Sequence, residues 1–289
     1  GVPFMTDYHP QGDAAPRNVM VWAALTETKA GRGPIYVDVR HLSASDLAHL
    51  FSTLGIDKDT LPEFLMAKGY AREGAMIELT VSEPMQARPS EQCGSGIKID
   101  EACASNVPGL FAAGDASDQM GCLHMCVAGG FYAGKQAAKY ARARNRLLPL
   151  KAKELRQERL RVFAPMQRQN GLAPGEFENV VRIITTDHFG PIKNETSLKA
   201  GIAKLDALNS YRDELAAGDL HTLMRCHEAV NIHAVAKIVA ETSLARTESR
   251  FSPYHHRSDF PESSDDWCGL VVARREGDNG VATRFETLL

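Results

Sequence analysis

Long apolar runs, paired cysteines and an excess of either charge are all missing from this 289-residue chain. No segment approaches the roughly 20 consecutive apolar residues that cross a bilayer, so the sequence predicts no membrane span. The six cysteines are scattered and include no CxxC pair. Their spacing does not match a disulfide framework, a structural zinc site or an iron–sulfur site. The formal net charge is only -3, which leaves no basic footprint for nucleic acid. With no signal peptide at the N-terminus either, we expect a cytoplasmic protein.

Four regions of the chain differ in pattern. Residues 1–88 mix strands and short helices, residues 89–147 indicate strand, turn, strand, loop and helix, residues 148–246 are almost wholly helical, and residues 247–289 return to loops and strands. Hydrophobic residues make up 44% and charged residues 24%, which is typical of a globular protein with an ordinary core.

Local patterns predict individual elements within these regions. IYVDV (35–39) has the pattern of a buried strand, a second strand is expected around 76–81, and a helix from Ser43 to Leu54 has Ser43 or Ser45 as its N-cap. The helical region is expected to form an antiparallel bundle with short connections. DNG at 278–280 lies between two apolar runs and predicts a β-hairpin.

VPGLFAAGD (107–115) has the clearest chemical meaning. It predicts an apolar strand that ends on Gly114-Asp115, with a helix from about Gly129 to Arg146 after it. Such a strand delivers its carboxylate to the sheet edge where open α/β folds bind ligands, and the glycine permits a close approach. The free N–H groups of the following helix suit an electron-rich ring edge. Together these features favour a flavin whose ribityl hydroxyls donate to Asp115; a plain turn aspartate is the alternative.

Four segments resemble segments of the fumarate reductase/succinate dehydrogenase flavoprotein family, and they occur along the chain in the same order as in that family. They are VPGLFAAGD with its following helix, TETKAGRGPIYVDVRHL (26–42), the helical region, and ARTESRFSPYHHRSDFPESSDDW (245–267). The resemblance implies an α+β fold, the C-terminal portion of a two-domain FAD flavoprotein. That portion would comprise part of the capping domain (1–88), the second half of the FAD-binding domain (89–147), a helical bundle (148–246) and a small C-terminal β region (247–289).

The resemblance implies an FAD-dependent oxidoreductase that exchanges a hydride or an electron pair with a small anionic substrate. Within that family, the chain resembles the branch that contains the α subunit of adenylylsulfate reductase. EQCGSGIKID (91–100) has Glu91 or Gln92 where the dicarboxylate enzymes have a histidine, and CLHMCVAGG (122–130) lacks their arginine, the residue that grips carboxylates bidentately. The alternatives are a fumarate reductase, succinate dehydrogenase or L-aspartate oxidase, and, in another class, a non-catalytic helical docking scaffold.

The resemblance also assigns site residues. The cofactor-binding residues would be Gly114, Asp115, Gly129, Gly130 and Phe131. The catalytic residues would be Arg32, His124, Arg250 and Arg257.

Each catalytic assignment has an alternative. Arg32 would donate a proton at the flavin or anchor the substrate, and otherwise is a surface arginine in a turn. His124 would bind the anion, and otherwise is a core or interface histidine. Arg250 and Arg257, with the neighbouring histidines at 255 and 256, would face an anion such as sulfate, sulfite or a nucleotide phosphate. Their alternative is a structural set of ion pairs with Asp259 and Glu262.

The cluster Cys122-x-His124-x-Cys126 raises the question of a metal or redox site. A strand-like backbone would bring the three side chains to one face, but structural zinc sites usually begin with CxxC. We therefore predict no metal and interpret the cluster as a wall beside the flavin.

The family's N-terminal GxGxxG unit has no counterpart, because none of GRG, GSG and AGG lies in a strand–turn–helix unit of that kind. We therefore expect the chain to be the C-terminal part of a longer flavoprotein, or to pair with a separate N-terminal FAD-binding piece. An iron–sulfur or ferredoxin-like partner is expected to carry electrons. Any peripheral attachment to a membrane would occur through a partner.

Overall fold

The computed structural model describes residues 2–70, 74–79, 96–118, 123–144, 149, 151–250, 252–253, 255–277 and 280–287. Contacts divide the chain into two units, Gly1–Ser82 and Glu83–Leu289. The finer division into four regions remains a prediction. No helix within the described residues combines the length and the apolar character needed to cross a membrane.

The first unit is a small mixed α and β unit. Its elements are α1 (Met5–Tyr8), α2 (Arg17–Lys29), β1 (Ile35–Asp38), α3 (Ala44–Asp57), α4 (Leu61–Ala67) and β2 (Met76–Leu79). β1 and β2 pair antiparallel. The Ser43 hydroxyl caps α3 by accepting the Asp46 N–H at 3.2 Å. Of the two predicted candidates, Ser43 and Ser45, Ser43 is therefore the N-cap.

The prediction of a buried strand at 35–39 is only partly right. Ile35 and Val39 are buried, but Tyr36 and Val37 are 39% and 43% exposed. In a two-stranded sheet, one partner strand and a small core cannot cover both faces. The core of this unit is accordingly small and consists of Val39, Leu47 and Ala75 with the apolar side chains around them.

The second unit is mainly helical. Its elements are α5 (Leu123–Ala143), α6 (Ala152–Phe163), α7 (Pro174–Phe189), β3 (Ile192–Lys193), α8 (Glu195–Ala207), α9 (Leu220–Ala245), β4 (His256–Arg257), β5 (Gly269–Glu276) and β6 (Gly280–Thr287). The main hydrophobic core is formed by apolar side chains of α7, α8 and α9, among them Phe177, Val181, Leu198, Leu205 and Ala229. α6 has a helical pattern but buries none of its residues.

The predicted hairpin is present, because β5 and β6 pair antiparallel from Gly269 opposite Thr287 to Glu276 opposite Gly280. Asp278 and Asn279, the predicted turn residues, lie outside the described part of the chain. β3 and β4 are a shorter, parallel pair that ties the segment before α8 to the segment after α9.

Two expectations near the glycine–aspartate motif are wrong. The strands expected at 96–100 and 109–115 are reduced to isolated bridges, Ile97 with Ser117 and Ala104 with Phe111. A ladder needs a continuous neighbouring strand, and the described residues provide none beside these segments. The following helix begins at Leu123 instead of Gly129, so the His124–Cys126 stretch is helical and not strand-like.

Candidate functional site

The Gly114-Asp115 turn packs directly against the first turns of α5. Gly114 has φ +61° and lies in a short 3-10 helix that continues through Ala116. A Cβ atom at Gly114 would lie 2.6 Å from the Sγ atom of Cys126, so only glycine permits this approach. A Cβ atom at Gly129, one turn further on, would lie 3.7 Å from the Cβ atom of Ala113 and 3.8 Å from the backbone N of Gly114, which is ordinary contact. Gly114 and α5 therefore fix the backbone that carries the exposed Asp115.

Hydrogen bonds from neighbouring segments hold this turn in place. The Ile97 N–H donates to the Ala116 carbonyl at 2.9 Å, and the Ser117 hydroxyl, fully buried, donates to the Gly114 carbonyl at 2.8 Å. The Asp118 carboxylate accepts the Ile99 N–H at 3.2 Å. These bonds tie residues 96–99 to the turn, although no strand ladder forms there.

One face of α5 is open and apolar. Leu123, Val127 and Phe131 follow one another at intervals of four residues and are 80%, 65% and 68% exposed. A Cβ atom at Gly130 or at Gly134 would meet nothing within 4 Å. We call Leu123, Val127, Gly130, Phe131 and Gly134 the open face of α5. His124 is exposed in the first turn of the same helix.

The structure describes two residues of the cysteine–histidine cluster, His124 and Cys126, and they do not share one face of α5. Cys122 lies outside the described residues. His124 and Cys126 are two positions apart on a helix, which is a rotation of about 200° around its axis, so their side chains lie on nearly opposite sides of it. Within the described residues, no group of three or more potential ligands could hold a metal ion.

In the first unit, Arg32 follows the C-terminus of α2. The Gly31 N–H donates to the Thr28 carbonyl at 3.1 Å, and the Arg32 N–H donates to the Glu27 carbonyl at 2.9 Å. With Gly31 at φ +76°, this is a Schellman motif. The motif turns the chain so that the side chains of Arg32 and Glu27 meet.

Arg32 and Glu27 form a two-bond ion pair. The Nε and Nη2 atoms of Arg32 donate to the two carboxylate oxygens of Glu27 at 2.5 and 2.7 Å. The Tyr8 hydroxyl donates to the same carboxylate at 2.6 Å. The bonds from Arg32 and Tyr8 lower the pKa of Glu27 to about 2, and the carboxylate in turn raises the pKa of Arg32.

Arg250 lies beside a fully buried carboxylate. It donates to Glu248 through Nε at 2.8 Å and through Nη2 at 2.9 Å, and Arg246 also donates to Glu248. The Ser264 N–H is a further donor to this carboxylate at 2.9 Å. These bonds overcome the effect of burial, so the pKa of Glu248 is lowered.

Arg257 is 1% exposed and is bonded on several sides. Its Nε and Nη2 atoms donate to Asp259 at 2.8 and 2.7 Å, and its Nη1 atom donates to the carbonyls of Ser243, Leu244 and Arg246. These are carbonyls at the end of α9, which a cation there stabilises. The geometry thus contains the Arg257–Asp259 ion pair of the structural alternative. The catalytic roles of Arg250 and Arg257 remain predictions.

The predicted residues therefore fall into three places. Gly114, Asp115, His124, Gly129, Gly130 and Phe131 lie on the turn and α5; Arg250 and Arg257 lie in the ion-pair cluster after α9; and Arg32 belongs to the other unit. Glu91 and Gln92, which bear on the dicarboxylate clamp, lie outside the described residues. Glu27 was not among the residues predicted from the sequence. Its signal was a carboxylate five residues before Arg32, with a glycine between them.

Comparison with known proteins confirms the predicted family resemblance. Residues 179–288 match the family described as fumarate reductase flavoprotein C-term. The chain is 28% identical to one of the subunits of the fumarate reductase (CoM/CoB) of Methanothermobacter marburgensis, over 96% of this chain and 50% of that protein. It is 26% identical to an uncharacterized FAD-dependent oxidoreductase of Methanocaldococcus jannaschii, over 94% of this chain and 49% of that protein. The chain thus spans about half the length of the curated relatives it matches.

Solved structures share the fold. The quinol fumarate reductase of E. coli gives a TM-score of 0.76 at 20% identity, over 100% of this chain and 53% of that chain. Adenylylsulfate reductase of Archaeoglobus fulgidus gives a TM-score of 0.73 at 20% identity, over 99% of this chain and 52% of that chain. The predicted α+β fold is confirmed, and it matches about half the length of each of these structures.

Proposed function

We propose that this chain is the C-terminal part of the flavoprotein subunit of an FAD-dependent oxidoreductase that exchanges a hydride or an electron pair with a small anionic substrate. The observation that carries the proposal is the turn at Gly114-Asp115, held against the N-terminal turns of α5 by contact with Cys126. The name of the Methanocaldococcus relative, an FAD-dependent oxidoreductase, supports it.

The residues around this turn fit a flavin. Asp115 is exposed and could accept hydrogen bonds from ribityl hydroxyls. Gly130 leaves open space on α5, where a side chain would obstruct a flat ring, and Phe131 offers an apolar surface beside it. The N–H groups at the start of α5 suit an electron-rich ring edge. When bound, FAD supplies the two-electron chemistry of such an enzyme.

Arg32 and His124 act on the substrate in this proposal. Arg32 presents a cation on the surface of the first unit, with a side chain that is 60% exposed. His124 presents a second polar group at the start of α5. The ion pairs of Arg250 with Glu248 and of Arg257 with Asp259 favour a structural contribution for those two arginines, because Arg257 donates from all three of its nitrogens and Arg250 from two of its three.

We propose that a further segment or chain supplies the rest of the FAD site. The open face of α5 supports this, because three large apolar side chains in a row are unusual on a surface that stays exposed. The segments at 96–100 and 109–115 also support it, since only isolated bridges pair them with other residues described by the structure. The proposal includes an iron–sulfur or ferredoxin-like electron partner and a cytoplasmic location, with any membrane attachment through a partner. Four described cysteines, Cys103, Cys126, Cys226 and Cys268, are free.

For the substrate, we propose a chemistry like that of adenylylsulfate reductase. The absence of an arginine in CLHMCVAGG supports this choice, because a dicarboxylate enzyme needs a bidentate grip on its substrate. A dicarboxylate such as succinate or fumarate is the second candidate, and it is favoured by the similarity to the fumarate reductase of Methanothermobacter.

The test of the cofactor site uses two matched aspartates. Gly12-Asp13-Ala14 forms a 3-10 helix with Gly12 at φ +54°, the same sequence and local geometry as Gly114-Asp115-Ala116. Asp115→Asn should weaken FAD binding by the complete protein about 10- to 100-fold, because it removes hydrogen bonds to a charged acceptor. Asp13→Asn should leave FAD binding unchanged. The measurement is the flavin absorbance per protein after dialysis.

A colourless complete protein, or equal loss of flavin in both variants, would contradict the proposed cofactor site. The substrate is tested by following the absorbance of the bound flavin under anaerobic conditions. Reduction by sulfite with AMP supports the adenylylsulfate reductase-like choice, whereas reduction by succinate alone overturns it in favour of the second candidate.

A further inference from the structure

Residues 96–99 lie directly on the Gly114-Asp115 turn, and we call them the clamp segment. The Ile97 N–H donates to the Ala116 carbonyl at 2.9 Å, and the Asp118 N–H donates to the Ile97 carbonyl at 3.1 Å. This is the pattern of a parallel ladder, reduced here to one residue. The two bonds hold the chain immediately after Asp115.

Gly96 is the residue that lets the clamp segment come this close. A Cβ atom at position 96 would lie 2.6 Å from the Ala116 carbonyl oxygen and 2.7 Å from that of Ser117. Both oxygens belong to the backbone, so a change of rotamer cannot relieve the clash. Only glycine permits the two backbones to approach to this distance.

The other end of the turn is also tightly packed. Gly114 lies against Cys126 of α5, where a Cβ atom would come within 2.6 Å of the Sγ atom. The Gly114 carbonyl also accepts two bonds from Ser117, one from the backbone N–H at 2.9 Å and one from the buried hydroxyl at 2.8 Å. The backbone that carries Asp115 is therefore in close contact at both of its neighbours, Gly114 and Ala116.

The clamp segment is anchored where it ends. The Asp100 carboxylate accepts two backbone N–H groups at 2.9 Å, and the Asp100 N–H donates to the Ala104 carbonyl at 2.9 Å. The Lys98 side chain pairs with Glu286 on β6. An exposed ion pair contributes little stability, so the bonds of Asp100 are the main anchor. Part of the displacement caused by a methyl group at position 96 must therefore fall on the turn.

We propose that Gly96 is a positioning residue for the cofactor. By letting the clamp segment lie directly on the turn, it sets the position from which the Asp115 carboxylate accepts the ribityl hydroxyls of FAD. The inference rests on the proposed function and deepens it. Hydrogen bonds weaken steeply when their geometry is disturbed, so a shift of roughly 0.5–1 Å at Asp115 lowers the affinity for FAD.

Gly171 supplies a matched control in the same unit. Leu172, which follows it, also forms a single parallel bridge: its N–H donates to the Glu214 carbonyl at 2.9 Å, and its carbonyl accepts the Ala216 N–H at 3.0 Å. A Cβ atom at Gly171 would meet the Glu214 carbonyl oxygen and would lie 2.6 Å from the Cβ atom of Ala216. Gly171→Ala therefore introduces the same kind of clash at a bridge that is not part of the turn.

The experiment compares Gly96→Ala, Gly171→Ala, Asp115→Ala and the double variant Gly96→Ala/Asp115→Ala in the complete protein. Flavin fluorescence gives the Kd for FAD, and thermal unfolding of the flavin-free protein gives Tm. Gly96→Ala and Gly171→Ala should both lower Tm, but only Gly96→Ala should raise Kd, by about tenfold. In the Asp115→Ala background, Gly96→Ala should raise Kd by no more than about twofold, because the bonds that it disturbs are already absent.

A second measurement needs no flavin. Amide hydrogen exchange in the flavin-free protein follows the clamp through the N–H groups of Ile97 and Asp118. Both should exchange about tenfold faster in Gly96→Ala than in the wild type, whereas the Leu172 N–H should change only in Gly171→Ala.

Asp118→Ala is the milder variant, and it decides the matter if Gly96→Ala does not fold. It removes the carboxylate that accepts the Ile99 N–H at 3.2 Å and leaves the backbone of the turn unchanged. It should raise the Kd for FAD about threefold, and only where Asp115 is present.

Equal increases of Kd in Gly96→Ala and Gly171→Ala would overturn the inference, because they would report general destabilisation. A Gly96→Ala effect that persists in full in Asp115→Ala overturns it as well, since Gly96 would then act by another route. So does faster Ile97 exchange in Gly96→Ala with a wild-type Kd, or, where that variant does not fold, a wild-type Kd in Asp118→Ala. Unchanged FAD binding in Asp115→Ala alone refutes the proposed cofactor site itself, whereas the other outcomes leave that site in place.

Discussion

Lys193 and Arg257 are opposite each other on β3 and β4, and both side chains are buried, but their bonding differs. Arg257 has the Asp259 carboxylate and three carbonyls as acceptors. The Lys193 ammonium donates to one carbonyl, that of Pro191, at 3.2 Å. Burial and the charge of Arg257 lower the pKa of Lys193 to about 8. The bonds of the buried arginine offset the free-energy cost of removing its charge from water. The buried ammonium of Lys193 has too few acceptors to offset that cost.

Lys193→Met should therefore stabilise the protein at pH 7 by about 1–3 kcal/mol. In the wild type the folded state releases the proton near pH 8 and the unfolded state near pH 10.5. Between these values the unfolded state binds more protons, so wild-type stability rises with pH by up to about 3 kcal/mol. The advantage of the variant should shrink over the same window. Chemical denaturation from pH 7 to pH 10.5 measures both.

The control for this substitution is Lys199→Met. Lys199 is 62% exposed and pairs with Glu195 on the surface of α8, so its loss should change the free energy of unfolding by less than about 0.5 kcal/mol. A destabilised Lys193→Met would show that Lys193 makes a net favourable contribution. An advantage that does not depend on pH would show that the lowered pKa of Lys193 is not its source.

At the scale of elements, a single glycine sets the distance between α7 and α8. A Cβ atom at Gly201 would lie 2.5 Å from the ring of Phe189 and 2.6 Å from the Cβ atom of His188. Phe189 is fully buried in the main core, so its ring has little room to move. The two helices can approach this closely only because position 201 carries no side chain.

Gly201→Ala should therefore destabilise the protein, although alanine is the better helix former. Overpacking costs about 1–3 kcal/mol, and the gain in helix propensity offsets up to about 1 kcal/mol of it. Gly175→Ala, in α7, is the matched control, because its Cβ atom would meet nothing within 4 Å. Thermal unfolding should give a lower Tm for Gly201→Ala and an unchanged or higher Tm for Gly175→Ala. A higher Tm for both would mean that the α7–α8 contact yields easily.

At the scale of the whole molecule, the open face of α5 bears on how the cofactor site is completed. If another segment or chain covers this face in the complete protein, a charge placed on it should interfere with assembly of the FAD site. Phe131→Asp should therefore lower the flavin content of the complete protein at least about tenfold. Ile183→Asp, a substitution on α7 where the side chain is 60% exposed, should leave flavin content unchanged.

The readout is flavin absorbance per protein, with circular dichroism as the control for folding. Full flavin content in Phe131→Asp would mean that the open face of α5 takes no part in the cofactor site. Loss of flavin in both variants would point to general destabilisation instead.

Features that depend on near neighbours were predictable from the sequence. Ser43 caps α3 as its position before the helix predicted, the helical segments of α7 to α9 follow their apolar periodicity, and the two strands around DNG form a hairpin. The Gly-Asp motif and the family resemblance also depend on contiguous residues. Each of these is set by local backbone preference and spacing, which a linear sequence contains in full.

Only the tertiary structure decided which distant groups meet. It showed that α5 begins at Leu123, that Arg257 is buried against Asp259 and the end of α9, and that Tyr8 and Glu27 hold Arg32. It also left the expected strands near the motif as isolated bridges. These outcomes depend on packing and on competition among many possible partners for each charge, so the composition and spacing of a single segment cannot specify them.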